Sequence, residues 1–200
     1  MSLYFKNSYG FTLIELLVSI GIISIILTVV VLNQSTYNDS AALTNLADEI
    51  SSTISQAQAY GVGVKGLSGG FNASYGIVFN LSSGLNTTYL NFADLNGDKI
   101  YNGNWPCNIS ECLSTVNITR GNFIKEICIV RSNNTEQCNV AQRTDISFAR
   151  PNTEAQIKFF NSGGNQVGAS NDKGARIRLQ SPRGFIRSVT VYTTGQISVQ

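Results

Sequence analysis

From Phe11 to Leu32 the chain is predominantly apolar for 22 residues and carries one charge, Glu15. As an α-helix that stretch spans about 33 Å, enough to cross the hydrocarbon of a bilayer. A carboxylate in hydrocarbon costs roughly 2.5–3.5 kcal/mol on insertion scales, so Glu15 marks function and requires a partner. A secretory signal peptide has an apolar core of about 7–15 residues and a small-residue cleavage site on its far side. This run is longer and opens directly after Gly10. A plain membrane anchor accounts for the length but leaves Glu15 unexplained.

The stretch Gly10-Phe-Thr-Leu-Ile-Glu-Leu-Leu-Val-Ser19 resembles the prepilin signal of type IV pilins and type II secretion pseudopilins. The resemblance covers about the first 25 residues. It implies that prepilin peptidase cuts between Gly10 and Phe11 and that Phe11 becomes the N-methylated end. It also implies that Glu15 guides assembly, facing the positive amino group of a neighbouring Phe11. Lys6 precedes the apolar run, while Asp39, Asp48 and Glu49 follow it. Positive residues stay cytoplasmic, which places the leader inside and the body outside.

The divisions that follow are a leader (1–10), a transmembrane helical half (11–32), an amphipathic helical half (33–62) and a β-rich extracytoplasmic domain (63–200). Leu43, Leu46, Ala47, Ile50, Ile54 and Ala57 recur at three- and four-residue steps, giving one apolar stripe to lay on a sheet. One helix over about 11–60 is expected, weakened across polar Asn33–Ser40, where Asp39 or Ser40 is placed to act as a fresh N-cap. Gly61-Val-Gly63 should end it. Beyond lie strand patterns: Tyr75–Leu81, Tyr89–Phe92, Leu113–Thr119, Phe123–Arg131, Ile146–Phe148, Ala155–Phe160, Arg176–Leu179 and Ile186–Tyr192. Thr193-Thr-Gly195 joins the last of these to Gln196–Val199 as a hairpin. The fold class is α+β: a long N-terminal helix followed by a mainly antiparallel sheet domain, the plan of a pilin.

Composition bounds the function. The chain has no histidine, which removes Ser-His-Asp and Cys-His catalysis and histidine metal centres. No enzyme is expected. Cys107, Cys112, Cys128 and Cys138 all lie in the exported part, where thiols pair; four cysteines allow three connectivities, and sequence proximity favours Cys107–Cys112 and Cys128–Cys138. Asp94, Asn96 and Asp98 sit at alternate positions, as the first ligands of a calcium loop do. Lys99 then stands where the sharp-turn glycine belongs and Trp105 where the bidentate carboxylate belongs. Asp, Asn and Gly also build ordinary turns, the stronger reading here; a structural calcium ion remains the alternative.

Residues 141–200 carry 8 basic and 3 acidic side chains, against 6 and 9 in residues 1–140. The basic third is either the solvated face of a sheet or a surface for an acidic subunit or nucleic acid. The strand leading into Asp94–Asp98 and the ending Thr194-Gly-Gln-Ile-Ser-Val199 resemble GspH/FimT-like minor pseudopilins. Some FimT-like competence pilins carry DNA-contacting arginines in the final hairpin turn. That turn has none here, and Arg183 and Arg187 lie upstream, so a structural subunit of a secretion pseudopilus or pilus leads and a DNA-uptake pilin is the alternative. The implied partners are prepilin peptidase, other pilin or pseudopilin subunits and the inner-membrane assembly platform. The implied location is the inner membrane, crossed once, with a periplasmic body. Mass spectrometry of membrane-extracted protein should find an amino terminus at N-methyl-Phe11; an intact Met1 end in cells with active peptidase would refute the assignment.

Overall fold

The computed structural model describes residues 10–63, 73–107 and 111–200. A single helix, α1 (Leu13–Val62), is followed by eleven strands. The chain divides into two compact units, one ending at Asn38 and the other running Asp39–Gln200. The leader expected at 1–10, with Lys6, lies almost wholly outside the described residues.

Asn33–Ser40 does not interrupt α1, and no fresh N-cap forms at Asp39 or Ser40. Polar residues cost a helix only fractions of a kcal/mol each, and a helix already running on both sides needs no second nucleus. The helix stops at Val62, where the Gly63 amide donates to the Ala59 carbonyl at 2.9 Å. Gly61 is needed for a different reason. A Cβ there would lie 2.3 Å from the Phe148 carbonyl oxygen, so the last turn passes against strand backbone only because glycine lacks one.

In the second unit the strands form two antiparallel sheets. The first has the order β3-β2-β1-β6-β7-β8, from β1 (Ser74–Asn80), β2 (Thr88–Asp94), β3 (Cys112–Asn117), β6 (Arg143–Phe148), β7 (Ala155–Phe160) and β8 (Gln166–Val167). The second has the order β11-β10-β9-β4-β5, from β4 (Phe123–Val130), β5 (Glu136–Ala141), β9 (Gly174–Gln180), β10 (Ile186–Tyr192) and β11 (Ile197–Val199). The β10–β11 hairpin turns through Gly195, whose φ is 86°.

The stripe Leu43, Leu46, Ala47, Ile50, Ile54 and Ala57 is buried together with side chains from both sheets in one core. Burying each large member contributes roughly 1.5–3 kcal/mol. The far end of this stripe is tied down by Gln58, whose Nε2 donates to the carbonyls of Thr153 (2.9 Å) and Gly195 (3.1 Å).

Strands β1 and β2 of the first sheet are buried on both faces. Ile77, Phe79 and Tyr89 enter the main core, while Val78, Leu90 and Phe92, one residue out of phase, join Tyr101 in a second small core. The segment 95–107 supplies that cover, with Trp105, Cys107 and Cys112 packed at its margin. Strands β5 and β8 have no counterpart in the sequence reading. The first, Glu-Gln-Cys-Asn-Val-Ala, is a polar edge strand without an apolar run, and the second is two residues long.

Candidate functional site

The amino-terminal segment is built around Thr12 and Glu15. The Thr12 hydroxyl accepts the Glu15 amide at 3.3 Å and donates to the Glu15 carboxylate at 3.5 Å. Thr-Leu-Ile-Glu thus has the Thr-x-x-Glu spacing of a helix start, a signal the sequence reading did not use. Gly10 and Phe11 precede the helix outside regular structure, and both are exposed.

Beyond Glu15, the large apolar side chains from Leu16 to Val31 are 54–69% exposed, on every side of the helix. An 18-residue window here has a mean hydropathy of 2.7 and none of it is buried. The hydroxyls of Ser19, Ser24 and Thr28 donate to the carbonyls of Glu15, Ile20 and Ser24, at 2.7–2.8 Å. Each of these hydroxyls is therefore satisfied by the helix itself, as hydrocarbon demands. Glu15 keeps the only formal charge between Gly10 and Asn38.

In the body, Cys107 is bonded to Cys112 and Cys128 to Cys138. Cys128 and Cys138 face each other directly across β4 and β5; the first bridge fastens the 95–107 segment to edge strand β3. Among the described residues, the one place where three metal-ligand atoms converge within 4.8 Å joins Glu126 to Cys128 and Cys138, whose sulfurs are already in a disulfide.

The Asp94–Asp98 segment is a turn closed by its own side chains. Asp94 accepts the amides of Gly97 (2.7 Å) and Lys99 (2.8 Å), one on each oxygen. Asn96 accepts the Asp98 amide at 3.1 Å, and Asp98 accepts the Ile100 amide at 2.9 Å. Burial pushes the Asp98 carboxyl up, but bonds from Asn102, Ile100 and Asn96 outweigh it and hold it below the usual carboxylate range. Trp105, at the position of the missing carboxylate ligand, instead donates its indole N–H to Thr88.

Two further carboxylates, which no spacing in the sequence announces, hold the same segment. Glu111 accepts the amides of Leu95 and Asn102, and Asp145 accepts that of Tyr101 at 2.8 Å. Asp145 is fully buried and is clasped by Arg143, which also donates to the Tyr101 carbonyl and lies over the Phe160 ring. Burial raises the Asp145 pKa against the pull of Arg143 and the Tyr101 amide.

The arginines of the last third are largely engaged within the body. Arg178 bridges Glu126 and Glu136, Arg176 also reaches Glu136, and Arg131, upstream of that third, pairs with its Asp172. Arg183 meets Asp39 at 3.0 Å, and Arg187 donates to Thr44 at 3.3 Å. The two candidate DNA contacts thus both bind α1.

Residues 5–31 match the family described as the prokaryotic N-terminal methylation motif. The amino terminus is a type IV prepilin-like signal. Together with the apolar helix and the antiparallel sheets of an α+β fold, the motif supports a pilin- or pseudopilin-like protein, and it implies processing by prepilin peptidase and assembly with other pilins. No characterised protein and no solved structure matches the chain. For the buried pair, Arg143→Gln should destabilise the prepilin-like protein by about 3–5 kcal/mol near neutral pH, because it strands the Asp145 carboxylate. Since burial raises the Asp145 pKa, the deficit should shrink as pH falls from neutral, because the carboxyl takes its proton above the usual carboxylate range. Urea unfolding in detergent across that range measures both.

Proposed function

We propose that the chain is a minor pseudopilin or minor pilin, similar to the GspH/FimT group, and that its role is structural. It is made as a precursor, inserted once across the inner membrane with its body in the periplasm, cut between Gly10 and Phe11, and methylated at Phe11. The assembly platform then draws it into a filament whose centre is a bundle of such helices. The observation that carries this reading is the apolar helix exposed on every side with Glu15 in its first turn. In a helical bundle, the Phe11 amine of a neighbouring subunit would answer Glu15, and a subunit out of register would leave both charges unpaired in a low dielectric. The engagement of Arg183 and Arg187 with α1 weighs for this reading over DNA uptake.

Glu15→Val makes the run more apolar, so membrane insertion should persist or improve while recovery in sheared filaments is lost. The unanswered Phe11 amine then costs several kcal/mol. Normal incorporation of the variant would remove Glu15 from the mechanism.

The 94–98 segment is read as a turn that positions the second core rather than as a calcium site. Calcium at about 10⁻³ M, sufficient for weak extracellular sites, should leave the thermal midpoint of the full chain unchanged. A rise that saturates with calcium and disappears in Asp98→Ala would restore the ion.

A further inference from the structure

One end of the body carries a basic and apolar rim that the assembly reading does not use. Phe123, Gln180 and Ile186 are in register across β4, β9 and β10, which puts the segments 118–122 and 181–185 at the same end of the second sheet. They touch: a Cβ on Gly121 would stand 2.9 Å from Cγ of Pro182. The 81–87 segment of the first sheet joins them, its Asn86 and Thr87 carbonyls accepting the amides of Ile124 and Ile118 at 2.8 Å. The three segments, extended through Arg187, contain Arg120, Arg183 and Arg187 and no aspartate or glutamate. Arg120 is exposed and the Arg183 side chain is 43% exposed. Among these cations lie Ile186, 44% exposed, and Phe185 and Leu85, both half-buried.

This is also the end at which α1 enters the body, because Arg183 is paired with Asp39 and Arg187 bonds Thr44. Six residues lie between Leu32, the last of the apolar run, and Asp39. The seven steps from one to the other reach at most about 25 Å when fully extended, so the chain tethers this rim close to the membrane surface however the two units are oriented. Arginines interspersed with apolar side chains suit phosphate headgroups lying over an acyl boundary. A nucleic-acid surface offers the phosphates without the apolar layer beneath.

We propose that the rim formed by 81–87, 118–122 and 181–187 docks on the anionic phospholipid headgroups of the membrane that the apolar helix crosses, holding the unassembled subunit's body against the bilayer. The inference rests on the spanning reading of residues 11–32. Arg120 binds headgroup phosphates, and Ile186 settles at the headgroup boundary. Entry into a filament then has to release this contact.

The test uses the full chain in nanodiscs of phosphatidylcholine alone or with about one third phosphatidylglycerol, read by amide hydrogen exchange. The rim segments should exchange at least about fivefold more slowly in the anionic discs, the factor one basic side chain contributes at such a surface. Arg120→Glu should abolish the difference, and Arg120→Asn, which tolerates the positive φ at this position, should weaken it, with β4 and β9 protected as before in both. Salt at about 1 M should also remove it, since screening then acts within about 3 Å. Equal exchange in the two lipids, with the chain retained on the discs, overturns the docking surface alone. A chain that leaves the discs on gel filtration overturns the spanning reading and the inference with it. Stronger protection of the rim by duplex DNA on neutral discs, at about 0.15 M salt, reassigns it to nucleic acid and overturns the lipid surface.

Discussion

An apolar helix exposed on all sides cannot be satisfied by a single neighbour. Between Leu16 and Val31 α1 has no polar face, and its hydroxyls bond back to their own helix. Only a surrounding medium, lipid or a bundle of like helices, covers such a surface. Between Gly10 and Asn38, Glu15 is the one charge that such a medium has to accommodate.

The body meets its own constraint through charges that are engaged within the fold. Asp94, Glu111 and Asp145 are buried, and each accepts main-chain amides of the 95–102 segment. That segment covers the second core and lacks regular structure, so its amides have no ladder to join. Buried carboxylates take the place of one. The same economy runs through the arginines: Arg131, and in the basic third Arg143, Arg176, Arg178 and Arg183, each meet an acid. A charge excess visible in the sequence is therefore a poor guide to the exposed field. Where a positive surface does remain, at the rim around Arg120, it lies at the end of the body that the apolar run leads into.

The sequence determined the features that depend on neighbours along the chain. Gly10, Phe11 and Glu15 stand in fixed register with an apolar run, so the processing signal needs no folded context to be read. The stripe from Leu43 to Ala57 and the alternation of Arg176, Ile177, Arg178 and Leu179 are likewise local periodicities, and they announced the helix and a half-buried strand. The cysteine pairs closest in sequence are the pairs that the structure joins.

What only the tertiary structure decided involves partners far apart in the chain. Arg143 and Asp145 stand 42 and 44 residues from the Tyr101 main chain they hold, and Arg187 stands 143 from Thr44. Nothing in local spacing marks such residues. Val78, Leu90 and Phe92 are buried under the 95–107 segment, a cover that the strand pattern does not announce. Edge strands such as β5 gain their definition from the ladder they join, because backbone pairing makes no demand on side-chain hydrophobicity. Periodicity is a one-dimensional record of which face is dry. Which distant group dries it, or answers its charge, is settled only when the chain closes on itself.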